Sequence, residues 1–224
     1  MAIKAWTLTE RPREKLLLHG SVNLSNAELL AVFLRTGVRG KTAVDLARDL
    51  LQQFGSLRSL LHCSLDEFTR LPGLGKVKYV QLQAILELSS RYLKEKINKE
   101  QVLSNHEHTV EFLTAKLRHL EHEIFACLFL DTHNRLIAYE ELSKGTHNQS
   151  RIYPREIVKA ALHHNAAAII FAHNHPSGIC EPSHDDLTVT EILQQALELI
   201  DVKVHDHLII GDGQTFSFAQ HGWL

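Results

Sequence analysis

A chain of 224 residues with 44% hydrophobic and 22% charged residues holds enough apolar material for one large or two small globular domains, which excludes a disordered tail or a fibrous repeat. No apolar run approaches the ~20 residues of a membrane span and the first residues show no signal-peptide pattern, so the expectation is a cytoplasmic protein with no membrane partner. The net charge of −2 conceals an asymmetry: residues 1–100 carry 16 Lys/Arg against 10 Asp/Glu and residues 101–224 carry 8 against 16, as expected of two domains with different partners, the basic one suited to DNA phosphates.

In chain order, Arg11-Pro12-Arg13-Glu14-Lys15 opens a short helical pattern closed by Gly20. Ser25 with Glu28 three residues on is a capping box ahead of Leu29, Leu30, Val32 and Phe33, and Gly37 is expected to end that helix. Gly40-Lys41-Thr42 looks like the end of a phosphate-binding loop, but Arg35 stands where the first glycine belongs, so nucleotide binding is rejected. Thr42 and Asp45 instead repeat the capping signature, opening an amphipathic helix with Val44, Leu46, Ala47, Leu50, Leu51 and Phe54 on its apolar stripe and Gly55 at its end.

Ser64 with Glu67 starts another short helix, Leu71-Pro72-Gly73-Leu74-Gly75 turns the chain, and a long helix runs from Lys76 to about Lys96. This stretch, about 64–96, resembles a helix-hairpin-helix motif. The resemblance implies backbone N–H groups at Gly73 and Gly75, with Lys76 and Lys78, meeting a DNA phosphate without reading bases. A plain helical connection with glycine as a cap accounts for the same residues. Residues 97–108 are polar and aperiodic and read as the linker between an all-α domain at 1–98 and a second domain at 102–224.

The second half alternates helices and strands, giving an α/β fold with a mixed sheet. A helix is expected from Thr109 to Leu120, strands at 124–130 and 136–142, and a helix opened by Tyr153-Pro154 and ending near Asn165. A buried strand follows over Ala166 to Ala172, then a helix from His184 to about Ile200, a strand at 202–210 and a last one through Phe218. Cys63, Cys127 and Cys180 are few, odd in number and far apart, which fits a reducing compartment.

The chemistry concentrates where that buried strand ends, in Ala172-His173-Asn174-His175-Pro176-Ser177-Gly178 and the following Glu181-Pro182-Ser183-His184-Asp185-Asp186. Along an extended chain His173 and His175 share one side while Asn174 faces away. Ser183 begins a helix whose first turn carries Asp186 back toward them. Two imidazoles and a carboxylate leave the fourth corner of a tetrahedron open to water, the pattern of a catalytic rather than a structural zinc. With 16 histidines in the chain, a lone His says little; the pair with its spaced Asp says much. Ser183 and Asp186 are also, in form, a capping box, and the two roles are compatible. His205-Asp206-His207 is a second His-x-His without a following carboxylate, read as a strand with outward histidines, with support of the metal ligands from behind as the alternative. Cys180 is either an extra ligand or a small loop residue. The spacings of metallo-β-lactamases, zincins, zinc deaminases and HNH nucleases are not met.

His-x-His, seven residues, Ser, two residues and Asp is the pattern of the JAMM (JAB1/MPN) metalloprotease family, matched without a gap at His173, His175, Ser183 and Asp186. The surrounding words, AHNHPSG, YPREIVKAAL and DHLIIGDG, resemble the RadC (UPF0758) branch of that family across essentially the whole chain. The resemblance implies a cytidine-deaminase-like α/β sheet with flanking helices, one Zn2+ per chain, and hydrolysis of an amide or isopeptide bond in a protein or peptide substrate. It implies Glu123 as general base, with Glu121, Glu140 and Glu141 as neighbouring alternatives, and Ser183 as hydrogen-bond donor to the oxyanion. The branch carries a DNA-repair label, so a DNA-associated factor or nuclease, and a noncatalytic metal-holding scaffold, stand beside the hydrolase. Oligomeric state is open.

Overall fold

A computed structural model of the chain describes residues 6–99, 106–144 and 152–224. The chain divides into two compact units, Met1–Leu88 and Ser89–Leu224. No helix among the described residues is long and apolar enough to cross a membrane.

The first unit is helical: α1 (Pro12–His19), α2 (Asn26–Leu34), α3 (Ala43–Phe54), α4 (Leu57–His62), α5 (Leu65–Thr69) and the first half of α6 (Lys76–Lys99). Full capping boxes form at Ser25, Thr42 and Ser64, each hydroxyl accepting from an N–H three residues on while that residue's carboxylate reaches back. The stripe of α3 is buried through Val44, Leu46, Ala47 and Leu50 and packs with Leu30, Leu34, Leu60, Phe68 and Leu82. One expectation needs correction, and one helix was missed. α2 stops at Leu34, and Arg35, not Gly37, takes the positive φ of 67°. Gly37 serves a close approach of chain segments, since a Cβ there would lie 2.1 Å from the Lys41 carbonyl oxygen. α4 went unforeseen because its N-cap Ser56 has Ser59, not an acid, at the third position.

The Gly73 turn packs closely against Val38 within this unit. Gly73 holds φ at +81°, and an added Cβ would sit 2.1 Å from Val38 Cγ1, whereas one at Gly75 would meet nothing within 4 Å. Lys78 Nζ donates to the Gly73 carbonyl at 2.8 Å. Gly73→Ala should therefore destabilise the protein by about 1–3 kcal/mol and Gly75→Ala by clearly less, read as urea midpoints; equal midpoints would show that the Val38 contact relaxes freely.

The stretch 97–108, expected as linker, is helical at both ends. α6 continues to Lys99 and α7 (His106–Leu117) begins at His106, while 100–105 lie outside the described residues. Lack of apolar periodicity did not prevent a helix, because Lys and Glu are themselves good helix formers.

The second unit is a five-stranded mixed sheet in the order β2-β1-β3-β4-β5, from β1 (Ile124–Leu130), β2 (Leu136–Lys144), β3 (Ala168–Asn174), β4 (Lys203–Ile210) and β5 (Thr215–Ser217). β1 runs antiparallel to β2 and β3, while β3 and β4 are parallel and joined through α9 (His184–Glu198). Every residue of β1 and β3 is buried, as their unbroken apolar runs require of strands covered on both faces. One face, with Ala126, Leu128, Ile170 and Ala172, packs on Phe112, Leu113 and Leu117 of α7. The other, with Phe125, Phe129, Ile169 and Phe171, packs on α8 (Pro154–His163) and α9 through Ile157, Ala161, Leu193 and Leu197. His173 continues the alternation of Ile169 and Phe171, so it lies on the α8 and α9 face at the C-terminal end of a parallel strand, where α/β sheets place their ligands.

Candidate metal centre

β3 runs two residues further than the sequence pattern gave, so His173 and Asn174 are strand residues and His175 is the first beyond it. Their opposite orientation is as expected. Asn174 points away from the imidazoles and fastens the approach to β1, accepting from Ile124 N–H at 2.9 Å and donating to the Leu120 and His122 carbonyls at 3.3 and 3.0 Å. It thereby fixes the segment carrying Glu123.

His175 is held by its own loop. Its N–H donates to the Ile210 carbonyl at 3.1 Å, and its Nδ1 lies 2.7 Å from the Ile179 carbonyl. A carbonyl only accepts, so Nδ1 carries a proton and Nε2 is the nitrogen turned toward Asp186. The loop is closed on the far side by Gly178, whose carbonyl accepts from Asp212 N–H at 2.7 Å and whose φ is +87°. A Cβ at Gly178 would lie 3.0 Å from Asp212 Cβ and 3.1 Å from Arg118 Nη2, inside the Arg118–Asp212 ion pair of 3.4 Å.

Ser183 caps α9 with the full box: Asp186 N–H donates to its hydroxyl at 3.1 Å, and Asp186 Oδ2 accepts from the Ser183 N–H at 2.7 Å and hydroxyl at 2.6 Å. The cap aims the carboxylate at the histidines. His173 Nε2 lies 3.0 Å from His175 Nε2 and 3.2 Å from Asp186 Oδ1, and His175 Nε2 lies 3.7 Å from Asp186 Oδ2. A tetrahedral ion with bonds of about 2.0–2.1 Å asks for donor separations of about 3.3 Å. The three side chains form a group able to hold a metal ion, and their donor chemistry fits zinc: borderline nitrogens, one carboxylate and a fourth direction left over.

The electrostatics agree with a site prepared for a cation. Burial holds the His173 imidazole down to about 4, against the pull of Asp186. His175 moves up, chiefly through its hydrogen bond with Asp186. Burial by itself would raise Asp186, but His175, His173 and Ser183 together hold that carboxyl well below its usual range. Without a metal, the ionic partner of Asp186 is thus His175, and His173 stays neutral.

Glu123 is brought into the same field. Its carboxyl, only partly exposed, is raised by burial and by the Asp186 charge and lowered by His175. The alternatives are elsewhere: Glu140 meets His164 Nε2 at 2.7 Å, Glu141 accepts from the Tyr139 hydroxyl at 3.3 Å, and Glu121 is exposed. Cys180 is not among the metal-capable group; its Sγ lies 4.0 Å from Gln214 Oε1.

The reading of His205 and His207 as outward strand residues is corrected. Ile169 pairs with Val204 and Ile170 with Asp206, so His205 is an extra residue in β4 and the simple alternation breaks. His205 reaches Asn134 Oδ1 at 2.8 Å, while His207 is fully buried with Nε2 2.8 Å from His173 Nδ1. Burial pushes the His207 imidazole far below its usual value.

A pH dependence follows for the metal-free protein. Between about 6.5 and about 4 the unfolded chain binds protons at positions 173 and 207 that the folded chain refuses, so stability should fall as pH drops through that window, roughly 3 kcal/mol coming from His173. His175 acts in the opposite sense: its contribution is complete below 6.5 and fades as pH rises through its folded value. The larger depressed shifts decide the sign, giving a lower urea midpoint at pH 4.5 than at pH 6.5; a higher midpoint at pH 4.5 would contradict it.

Residues 103–223 match the family model described as the RadC-like JAB domain, and residues 3–80 match the UPF0758 N-terminal model. The chain is 57% identical to a UPF0758 protein of Cellvibrio japonicus and 55% identical to one of Nitrosococcus oceani, in each case over 100% of both chains.

Proposed function

Because the chain belongs to the UPF0758 family, whose C-terminal part is a RadC-like JAB domain, we propose that it is a zinc-dependent hydrolase that cleaves an amide or isopeptide bond in a protein or peptide. The observation that carries this reading is the group of His173, His175 and Asp186, whose ligand atoms lie within 4.8 Å of one another, with the Glu123 carboxyl in its field. Zinc bound there would polarise a carbonyl and make water acidic enough to attack at neutral pH.

The chain's own groups then have separable tasks. Glu123, its acidity weakened by burial and by Asp186, takes the proton of the attacking water and delivers it to the departing amine. Ser183 clamps Asp186 Oδ2 with both its N–H and its hydroxyl. Acting also on the oxyanion requires that hydroxyl to turn its proton from Asp186 toward the reacting carbonyl. The contacts of Gly178 with Asp212 keep the His175 loop in place.

For the basic half, +6 over residues 1–100, we propose contact with DNA phosphates at the start of α6. Lys76 is exposed there, while Lys78 is already bonded to the turn. Zinc-loaded protein incubated with an isopeptide-linked peptide pair and with single-stranded DNA tests the main reading. Release of a new amine with the DNA intact is expected; cleaved phosphodiesters with the peptide intact would hand the site to the nuclease reading.

A further inference from the structure

We propose that His207 and Thr190 form a relay that fixes which nitrogen of His173 carries the proton, keeping Nε2 bare for the cation. The relay rests on the reading of His173, His175 and Asp186 as metal ligands.

The argument starts at Thr190. Its Oγ1 lies 2.5 Å from the Asp186 carbonyl oxygen and 2.6 Å from His207 Nδ1. A hydroxyl has one proton to give, and a carbonyl oxygen can only accept. Two oxygens at that separation need the proton between them, so the Thr190 proton is committed to Asp186. The second contact must then draw its proton from the ring, which places a hydrogen on His207 Nδ1.

His207 is 0% exposed and sits among Phe125, Phe171 and Phe218, with ring centroids 5.5, 5.9 and 4.7 Å away. Its hydrogen-bond partners, Thr190 and His173, bring no carboxylate to compensate a buried charge, so the ring is neutral. A neutral imidazole has one N–H, leaving Nε2 as an acceptor. That Nε2 lies 2.8 Å from His173 Nδ1, which must be the donor. His173 then presents a lone pair on Nε2, 3.0 Å from His175 Nε2 and 3.2 Å from Asp186 Oδ1.

The relay leaves the backbone carbonyl of Asp186 and returns to its carboxylate. His175 has its Nδ1 proton set in one step, by the Ile179 carbonyl. Metal-bound histidines usually donate their other N–H to a carboxylate, a carbonyl or water. A second imidazole can accept that proton only if its own tautomer is set, and setting it is the task of Thr190. Thr190 and His207 are positioning residues: they act through His173.

Imidazole 15N–1H correlation spectra of the full chain stripped of metal, with zinc affinity measured by chelator competition, test this. Wild type should carry Nδ1–H on both His173 and His207. Thr190→Val removes the acceptor for His207, so His173 should shift toward Nε2–H and zinc affinity should fall roughly 10–100-fold, while Thr190→Ser restores both. A wild-type His173 with its proton on Nε2, or a Thr190→Val protein with unchanged tautomers and affinity, overturns the relay. If Thr190→Val does not fold, the wild-type spectrum decides alone. Wild type that takes up no zinc overturns the metal reading beneath the relay; the tautomers, read without metal, fail or stand separately.

Discussion

Glu123→Gln should take up zinc as wild type does and lose turnover by roughly 10²–10⁴-fold, the usual worth of a positioned general base. Glutamine keeps the shape and the hydrogen-bonding reach of glutamate but cannot receive a proton. Ligand geometry should be untouched, because the cation group consists of His173, His175 and Asp186. The position of residue 123 should hold as well, since Asn174 anchors the backbone on either side of it through Ile124 N–H and the His122 carbonyl. Glu121→Gln, an exposed neighbour, serves as the control and should stay within about twofold of wild type. Zinc-loaded Glu123→Gln with full turnover would remove Glu123 from the mechanism. Wild type without turnover on any amide or isopeptide, despite bound zinc, would favour the scaffold reading.

Asp186→Ala should have a double effect. One ligand of three is gone, and since even outer partners of ligands are worth 10–100-fold in metal affinity, zinc binding should weaken by at least about 10²-fold. The same carboxylate closes the α9 capping box with Ser183, so the metal-free protein should also lose about 1 kcal/mol of stability. Asp186→Asn separates the two effects. An amide oxygen can still accept from the Ser183 N–H and hydroxyl, so stability should be largely kept while the anionic ligand, and the zinc, are lost. If Asp186→Ala bound zinc as tightly as wild type, the metal would have to be held elsewhere.

Features written into neighbouring residues could be read from the sequence. β1 over Ile124–Leu130 was legible because a strand buried on both faces is an unbroken apolar run, and the capping boxes at Ser25, Thr42, Ser64 and Ser183 because each is a four-residue signal. His173, His175 and Asp186 belong to this class: a strand end and a helix start, joined by a short loop, put three donors in one place. What depends on partners far along the chain was hidden. His207 is 34 residues from His173, and the extra residue at His205 breaks the alternation that would have pointed to it. Arg118 and Asp212 close on the loop around Gly178 from 94 residues apart. Gly73 was read as a phosphate-facing turn or a helix cap, and its close approach to Val38, a residue in a different part of the chain, could not be read there.

The account as a whole depends on one cation held by two imidazoles and one carboxylate, and zinc-edge X-ray absorption on the loaded full-length chain measures that directly. The prediction is uptake of one zinc per chain, with nitrogen and oxygen neighbours at about 2.0–2.1 Å and the outer-shell scattering of two imidazole rings. A sulfur neighbour at about 2.3 Å, which would have to be a cysteine such as Cys180, or an ion lacking imidazole scattering, would contradict it.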